Sequence, residues 1–388
     1  MAEDSRAQHA RSRLMDGLMM NRKGASSRAK VVTAALLSLF AIPTVQFSST
    51  ANAAEFTIPS QMIDTVSKEI LAKFTYSEDG DFTKASGLPT YEWMPAGKEP
   101  EAIIIGIHGL TLHGRRYRVL ARTMAVSGIG FIAMDMRGFG RCHYDKDNTF
   151  SPPGDDHHKV AHNKSNEDIV KIVQAARTKY PGKPIILLGE SLGCTFCVKI
   201  AGEHSDLVDG LVLSAPAIKV NPKMYLSPSD ITAGLASLVT RNHKVKLHGF
   251  LTKLVCPRKE VVDELLSDPL MVTELGLKDL LATDEFVDKT SKLGKLLSPH
   301  LPLLIIQGSV DGCVAPVHVT DFMMNVPSDD QTLCWRGKQG HLQLETSFVR
   351  ATSIDALGDW IEDHSPSGKD RVAVLKKSLE EVGGRVVQ

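Results

Sequence analysis

The segment Gly189-Glu190-Ser191-Leu192-Gly193 follows the apolar run Pro184 to Leu188 and precedes a helical pattern. A serine at such a strand-to-helix turn is held in a strained backbone conformation with its hydroxyl exposed. The two glycines remove side chains that would collide with neighbouring elements. A bare G-x-S-x-G arises by chance in many chains, so the flanking strand and helix are what mark Ser191 as a nucleophile. A serine hydroxyl attacks poorly at neutral pH and needs a histidine within hydrogen-bond reach, itself oriented by a carboxylate. The chemistry would be acyl transfer.

In the matching chain order the acid and then the histidine follow the serine, each in a loop at the end of a later strand. Asp311 fits as the acid, because Gly308-Ser309-Val310-Asp311-Gly312 follows the run Leu303 to Gly308. His341 fits as the base, in the loop Gly337 to His341 after the run Gln331 to Arg336. His300 and His318 lie outside such loops, Asp329 and Asp330 precede a strand, and Asp135 reads as a tether for the loop Met136 to Gly140. Attack on a carbonyl makes an oxyanion, which two backbone N–H groups would stabilise. One is that of Leu192; the other is that of Leu110, in His108-Gly109-Leu110-Thr111, where the glycine permits close approach of the backbone. His108, Gly109 and Glu190 are expected to face the substrate. His157, His158 and His162 lack metal-ligand spacing and read as a solvated loop, so no metal is expected. Cys194-Thr-Phe-Cys197 reads as buried thiols or a structural bridge rather than a redox pair, and six cysteines leave the pairing open.

Positioning these residues requires an α/β fold with a mostly parallel, doubly wound sheet. Strands are expected at Ala102 to His108, Ile129 to Asp135, Pro184 to Glu190, Leu207 to Ser214, Leu303 to Gly308 and Gln331 to Arg336. Helices are expected at Tyr117 to Ser127, Asn166 to Lys179, Leu192 to Glu203, Val317 to Val326 and Glu345 to His364. The alternation stops between Pro216 and Pro302, where the pattern is helical at Ile231 to Thr240, Arg258 to Leu266 and Leu277 to Thr290, without a convincing strand. That insertion reads as a helical cap over the carboxyl edge of the sheet, where ligands of open α/β folds bind. A leading helix, Met62 to Phe74, and an antiparallel edge are expected before Gly97. The division is then 1–53 leader, 54–215 and 302–365 core, 216–301 cap and 366–388 charged tail, a weak helix without evident role.

Forty-five basic residues balance forty-five acidic ones, so no basic field is available to hold nucleic acid, and the expected partner is a small, fairly neutral molecule. The basic stretch Arg22 to Lys30, the apolar run Val31 to Phe47 broken at Pro43, and Ala51-Asn52-Ala53 read as a signal for export, cleaved near Ala53. Either Met19 or Met20 could be the start. Oligomeric state is not legible.

Taken together, His108-Gly109 with Arg116-Tyr117, Asp135-Met-Arg-Gly-Phe-Gly, Gly189-Glu-Ser-Leu-Gly, Ser267-Asp-Pro-Leu270, Gln307-Gly-Ser-Val-Asp311 and Gly340-His341 resemble the monoacylglycerol lipase and lysophospholipase branch of α/β-hydrolases. The resemblance spans roughly Tyr91 to Ile361, and Glu190 departs from it by standing where such lipases commonly carry histidine. It implies a lid-bearing, cofactor-free serine esterase acting on lipid-like monoesters, with Ser191, Asp311 and His341 as triad and a cap that could touch a membrane surface transiently. Other activities of this fold stay open. They are an aminopeptidase, with Glu260, Asp263 and Glu264 binding an amino terminus, a thioesterase, or a non-catalytic binding protein.

Overall fold

Residues Ile103-Ile104-Ile105 are wholly screened from water, which a strand achieves only when covered on both faces. The computed structural model describes residues 68–219, 244–364 and 371–381. Its strands are β1 (Phe74–Glu78), β2 (Thr90–Pro95), β3 (Ile103–Ile107), β4 (Gly130–Met134), β5 (Ile185–Glu190), β6 (Gly210–Ser214), β7 (Lys244–Lys246), β8 (Glu274–Gly276), β9 (Leu303–Gly308) and β10 (Gln331–Arg336). Eight of them form one sheet in the order β1-β2-β4-β3-β5-β6-β9-β10, parallel from β4 onward, with β1 and β2 as the antiparallel edge. The described helices that cover it are α1 (Arg118–Val126), α2 (His162–Lys179), α3 (Leu192–Glu203), α4 (Lys259–Leu266), α5 (Leu277–Val287), α6 (Val317–Met323), α7 (Ala351–Asp363) and α8 (Arg371–Glu381).

Alternation along each strand divides the interior in two. Ile103, Ile105 and Leu187 join α2 and α3 in one core, whereas Ile104, Leu188 and Leu304 join α1, α7 and α8 in the other. Each such side chain, fully buried, contributes about 1.5–3 kcal/mol. Between β6 and β9 the chain leaves the sheet, and Leu251, Val261, Leu265 and Phe286 close over the first core.

Several expectations change against this architecture. The inserted region is not wholly helical: β7 and β8 pair antiparallel, Val245 opposite Leu275. The helix expected from Glu345 begins only at Ala351, because the amides of Glu345 and Ser347 are taken by the carboxylates of Glu190 and Glu264. The helix expected through Phe74 ends at Leu71, and Phe74 opens β1 instead. The leader, Ile231 to Thr240 and the cleavage position lie outside the described residues.

The tail also differs from expectation. Its helix α8 packs against α1 and α7, with Leu375 and Leu379 fully buried four residues apart on one face. Leu379→Ala is therefore expected to cost about 2–5 kcal/mol, read as a lower midpoint in urea unfolding. An unchanged midpoint would mean that α8 contributes nothing to the body.

Candidate active site

Strand β5 ends at Glu190 and α3 begins at Leu192, which leaves Ser191 alone at the turn with φ 56° and ψ −118°. A side chain at Gly193 would put Cβ 1.9 Å from the Ile107 carbonyl oxygen, and one at Gly189 would meet the Gly193 backbone at 2.5 Å. The two glycines are therefore what lets β3, β5 and α3 converge tightly enough to force the turn. The Ser191 amide donates to the Ser214 carbonyl at 2.9 Å, anchoring the strained residue to β6.

Because β9 and β10 run in register, with Gly308 opposite Arg336, their following loops leave the sheet side by side. A Cβ at Gly308 would lie 2.3 Å from the Gly340 carbonyl, so the two loops touch. His341 Nδ1 donates to Asp311 Oδ2 at 2.8 Å, and both residues are buried. The rest of the Asp311 carboxylate accepts the amides of Cys313 at 2.8 Å and Val314 at 3.0 Å and the Gln307 side-chain amide at 3.2 Å. Burial opposes charge on His341, yet the Asp311 carboxylate, its hydrogen bond and the more distant Glu190 outweigh it and raise the imidazole above its ordinary value. The His341 amide donates to the Val255 carbonyl at 2.7 Å, tying this loop to the inserted region.

Ser191 and His341 line one cleft of about 650 Å³, counted with its open mouth. Its wall is mainly apolar: Leu110, Leu112, Leu192, Leu251, Val255, Leu265, Val287 and Leu342 belong to it. Leu110 and Leu192, expected to supply the oxyanion donors, line the cleft with Ser191, and the Gly109 amide donates to Glu345 at 3.0 Å. Of the cap leucines, Leu251 and Leu265 reach the cleft, whereas Leu281 is exposed.

Two residues expected at the substrate are placed elsewhere. His108 does not line the cleft: Nδ1 donates to the Gly109 carbonyl at 2.8 Å, and Nε2 accepts the Met136 amide at 3.0 Å. It is a neutral strut, its pKa pushed down to about 4 chiefly by burial. Glu190 points away from the cleft, where its carboxylate accepts the Ser214 hydroxyl at 2.7 Å and the amides of Gln343, Leu344 and Glu345. It clasps the segment directly after His341. The sequence did not single out Glu345, which is fully buried and touches the cleft; its place four residues after His341 was the available signal.

Beneath the inserted region, Arg116 donates to Asp268 at 3.1 Å and Glu264 at 3.3 Å, while His113 Nε2 contacts both Asp268 oxygens at 3.0 Å. Burial disfavours charge on Glu264, but Arg116, Ser347 and Arg118 hold it down at about 2. Glu264 is thereby committed to the core, Asp263 pairs with Lys259, and Glu260 lies beside Arg258. Asp135 does tether its loop, accepting the amides of Gly114 and Arg141 at 2.8 Å each. The histidines expected in a solvated loop are partly interior. His157 is buried between Ser151 and Asp145, and His162 stacks on Phe286 with Nε2 2.8 Å from the Thr283 hydroxyl.

Among the described residues, Asp311, Cys313 and His341 form a group whose side-chain donors lie within 4.8 Å of one another. Burial pushes the Cys313 thiol well up, and Asp311 and His341 are spent on each other, so this donor set fits a metal poorly. All six cysteines are free thiols. Cys194 donates to the Gly189 and Ser214 carbonyls at 3.1 and 3.3 Å, and burial raises both it and Cys197, which fits packing rather than redox exchange. Gly193→Ala should abolish activity and soluble expression together, since backbone rather than a flexible side chain blocks the added methyl. A folded, fully active alanine variant would contradict this packing.

The sequence profile of the family described as serine aminopeptidase, S33, matches residues 98–345. Human monoglyceride lipase is 27% identical over 276 residues, covering 70% of this chain and 86% of its own. A soluble variant of monoglyceride lipase from Saccharomyces cerevisiae, solved with a substrate analogue, superposes with a TM-score of 0.57 at 19% identity over 80% of this chain and all of its own. The monoacylglycerol lipase of Paleococcus ferrophilus gives a TM-score of 0.53 at 21% identity over 76% of this chain and 99% of its own. The chain belongs to the serine aminopeptidase S33 family of α/β-hydrolases, on the branch that carries the monoacylglycerol lipases.

Proposed function

We propose that this protein is a serine carboxylesterase that cleaves lipid-like monoesters, of the monoacylglycerol or lysophospholipid type, through an acyl-enzyme on Ser191. One observation carries the reading: the buried His341–Asp311 hydrogen bond of 2.8 Å opens onto the same apolar cleft as a serine at φ 56°. With Nδ1 given to Asp311, Nε2 is the nitrogen that takes the Ser191 proton as the hydroxyl attacks the ester carbonyl. The amides of Leu110 and Leu192 receive the oxyanion. His341 then returns the proton to the leaving alcohol, and a water deprotonated by the same imidazole frees the acid.

The cleft's apolar wall suits an acyl chain, and the monoglyceride lipases among its relatives support the substrate class. An aminopeptidase would need an acid free to hold a cationic amino terminus. Glu260, Asp263 and Glu264 all lie off the cleft wall, which favours the ester. The leader's order of basic, apolar and small residues supports export, with cleavage near Ala53, as part of the same reading.

Ser191→Ala should lower kcat on p-nitrophenyl butyrate by about 10⁴-fold or more and abolish fluorophosphonate labelling while the melting temperature holds. Wild-type turnover in that variant would sink the triad. The rate must also fall with acid, because only neutral His341 can accept a proton. Its raised pKa sets the half-maximal kcat/KM above the ordinary imidazole value of about 6.5. A flat profile from about pH 5 to 9 would exclude a histidine base.

A further inference from the structure

Behind the proposed oxyanion loop lie two buried carboxyl groups that the mechanism above does not use. Glu190 receives four donors: the Ser214 hydroxyl at 2.7 Å and the amides of Gln343, Leu344 and Glu345 at 2.6, 3.1 and 2.8 Å. Glu345 receives the Gly109 amide, at 3.2 and 3.0 Å to its two oxygens. The nearby cation, Arg116, spends its guanidinium on Asp268, Glu264 and the Glu345 carbonyl rather than the carboxyl. Burial pushes the nearby Tyr117 and Cys194 well up, which keeps both neutral, and His341, raised by Asp311, shares the cleft wall with Glu345. Two neighbouring carboxylates in a dry interior do not both ionise cheaply, and four donors stabilise an anion far better than one.

We propose that Glu345 is a positioning residue of the acyl-transfer site: an uncharged carboxylic acid that fixes the Gly109 amide, and so the turn carrying Leu110, while Glu190 holds the pair's single negative charge. The placement gives this division a purpose. A Cβ at Gly109 would lie 3.1 Å from Glu345 Oε2 and 3.4 Å from Ser191 Cβ, so the carboxyl and the nucleophile crowd the same glycine. A full negative charge there would oppose the oxyanion that develops on the substrate, whereas a neutral acid still accepts the N–H and leaves the field intact. Burial and the Glu190 charge both push the Glu345 carboxyl well above the usual range, against the weaker pull of the Gly109 amide and Arg116. Glu190 is also raised by burial, but its hydroxyl and amide donors pull it back toward the anion.

The proposal rests on acyl transfer at Ser191, and p-nitrophenyl butyrate separates the two. Glu345→Leu removes the acceptor and is expected to lower kcat by about ten- to a hundredfold with KM little changed. Glu345→Gln, neutral and still presenting a carbonyl oxygen to Gly109, should recover most of that loss equally at pH 6 and pH 9. A glutamine variant as damaged as the leucine one would show that charge is required and overturn the proposal. So would a leucine variant with wild-type kcat. Should the leucine variant not fold, the glutamine variant decides alone: a kcat within about tenfold of wild type supports the neutral acid, and a larger loss refutes it. Failure of the underlying reading looks different, since Ser191→Ala would then keep its turnover.

Discussion

Everything at this site depends on a backbone residue that does not want its conformation. Ser191 sits at φ 56° and ψ −118°, a region that costs of order 1–3 kcal/mol for a residue with a side chain. The strain persists because three features over-determine it: only a glycine at 193 leaves room for the Ile107 carbonyl, only a glycine at 189 leaves room for the Gly193 backbone, and the Ser191 amide is held by Ser214. All three contacts draw on a parallel sheet whose central strands are buried on both faces. The core is thus what holds Ser191 in its strained turn at the wall of the cleft.

Around that turn the interior carries several buried charged and polar side chains. Glu190, Glu345, Arg116, Asp268 and His113 are all buried, and removing such groups from water is expensive unless each is fully bonded. Several buried carboxyl groups here act as clasps on irregular backbone. Glu190 holds the segment after His341, Glu264 holds the next two residues, and Asp135 holds the loop after β4. Loops at the carboxyl edge of the sheet cannot use ladder hydrogen bonds, and carboxylates supply the missing acceptors.

This division explains what the sequence disclosed. Ser191, Asp311 and His341 could be picked out together because each follows an expected strand at a turn that contains glycine, and strand periodicity is easily found. The strands β9 and β10 and the helix α3 fall on their expected residues. The pairing of β7 with β8 was hidden because three residues such as Lys244-Val245-Lys246 are too short to show a period. Glu190 and His108 were misplaced for another reason. A polar residue inside a motif looks as though it serves the substrate, and only coordinates reveal that its partners are backbone amides. The docking of α8 rested on two leucines in a charged stretch, a pattern indistinguishable from a solvated tail.

The His341 amide bonded to the Val255 carbonyl links the histidine's loop to the roof of the cleft by main chain alone. A side-chain latch could be lost by substitution at either end, but a peptide-to-peptide link survives nearly every exchange except proline. The 251–255 segment and the main chain of His341 are therefore mechanically joined, so a displacement of one is passed to the other without any side chain as intermediary.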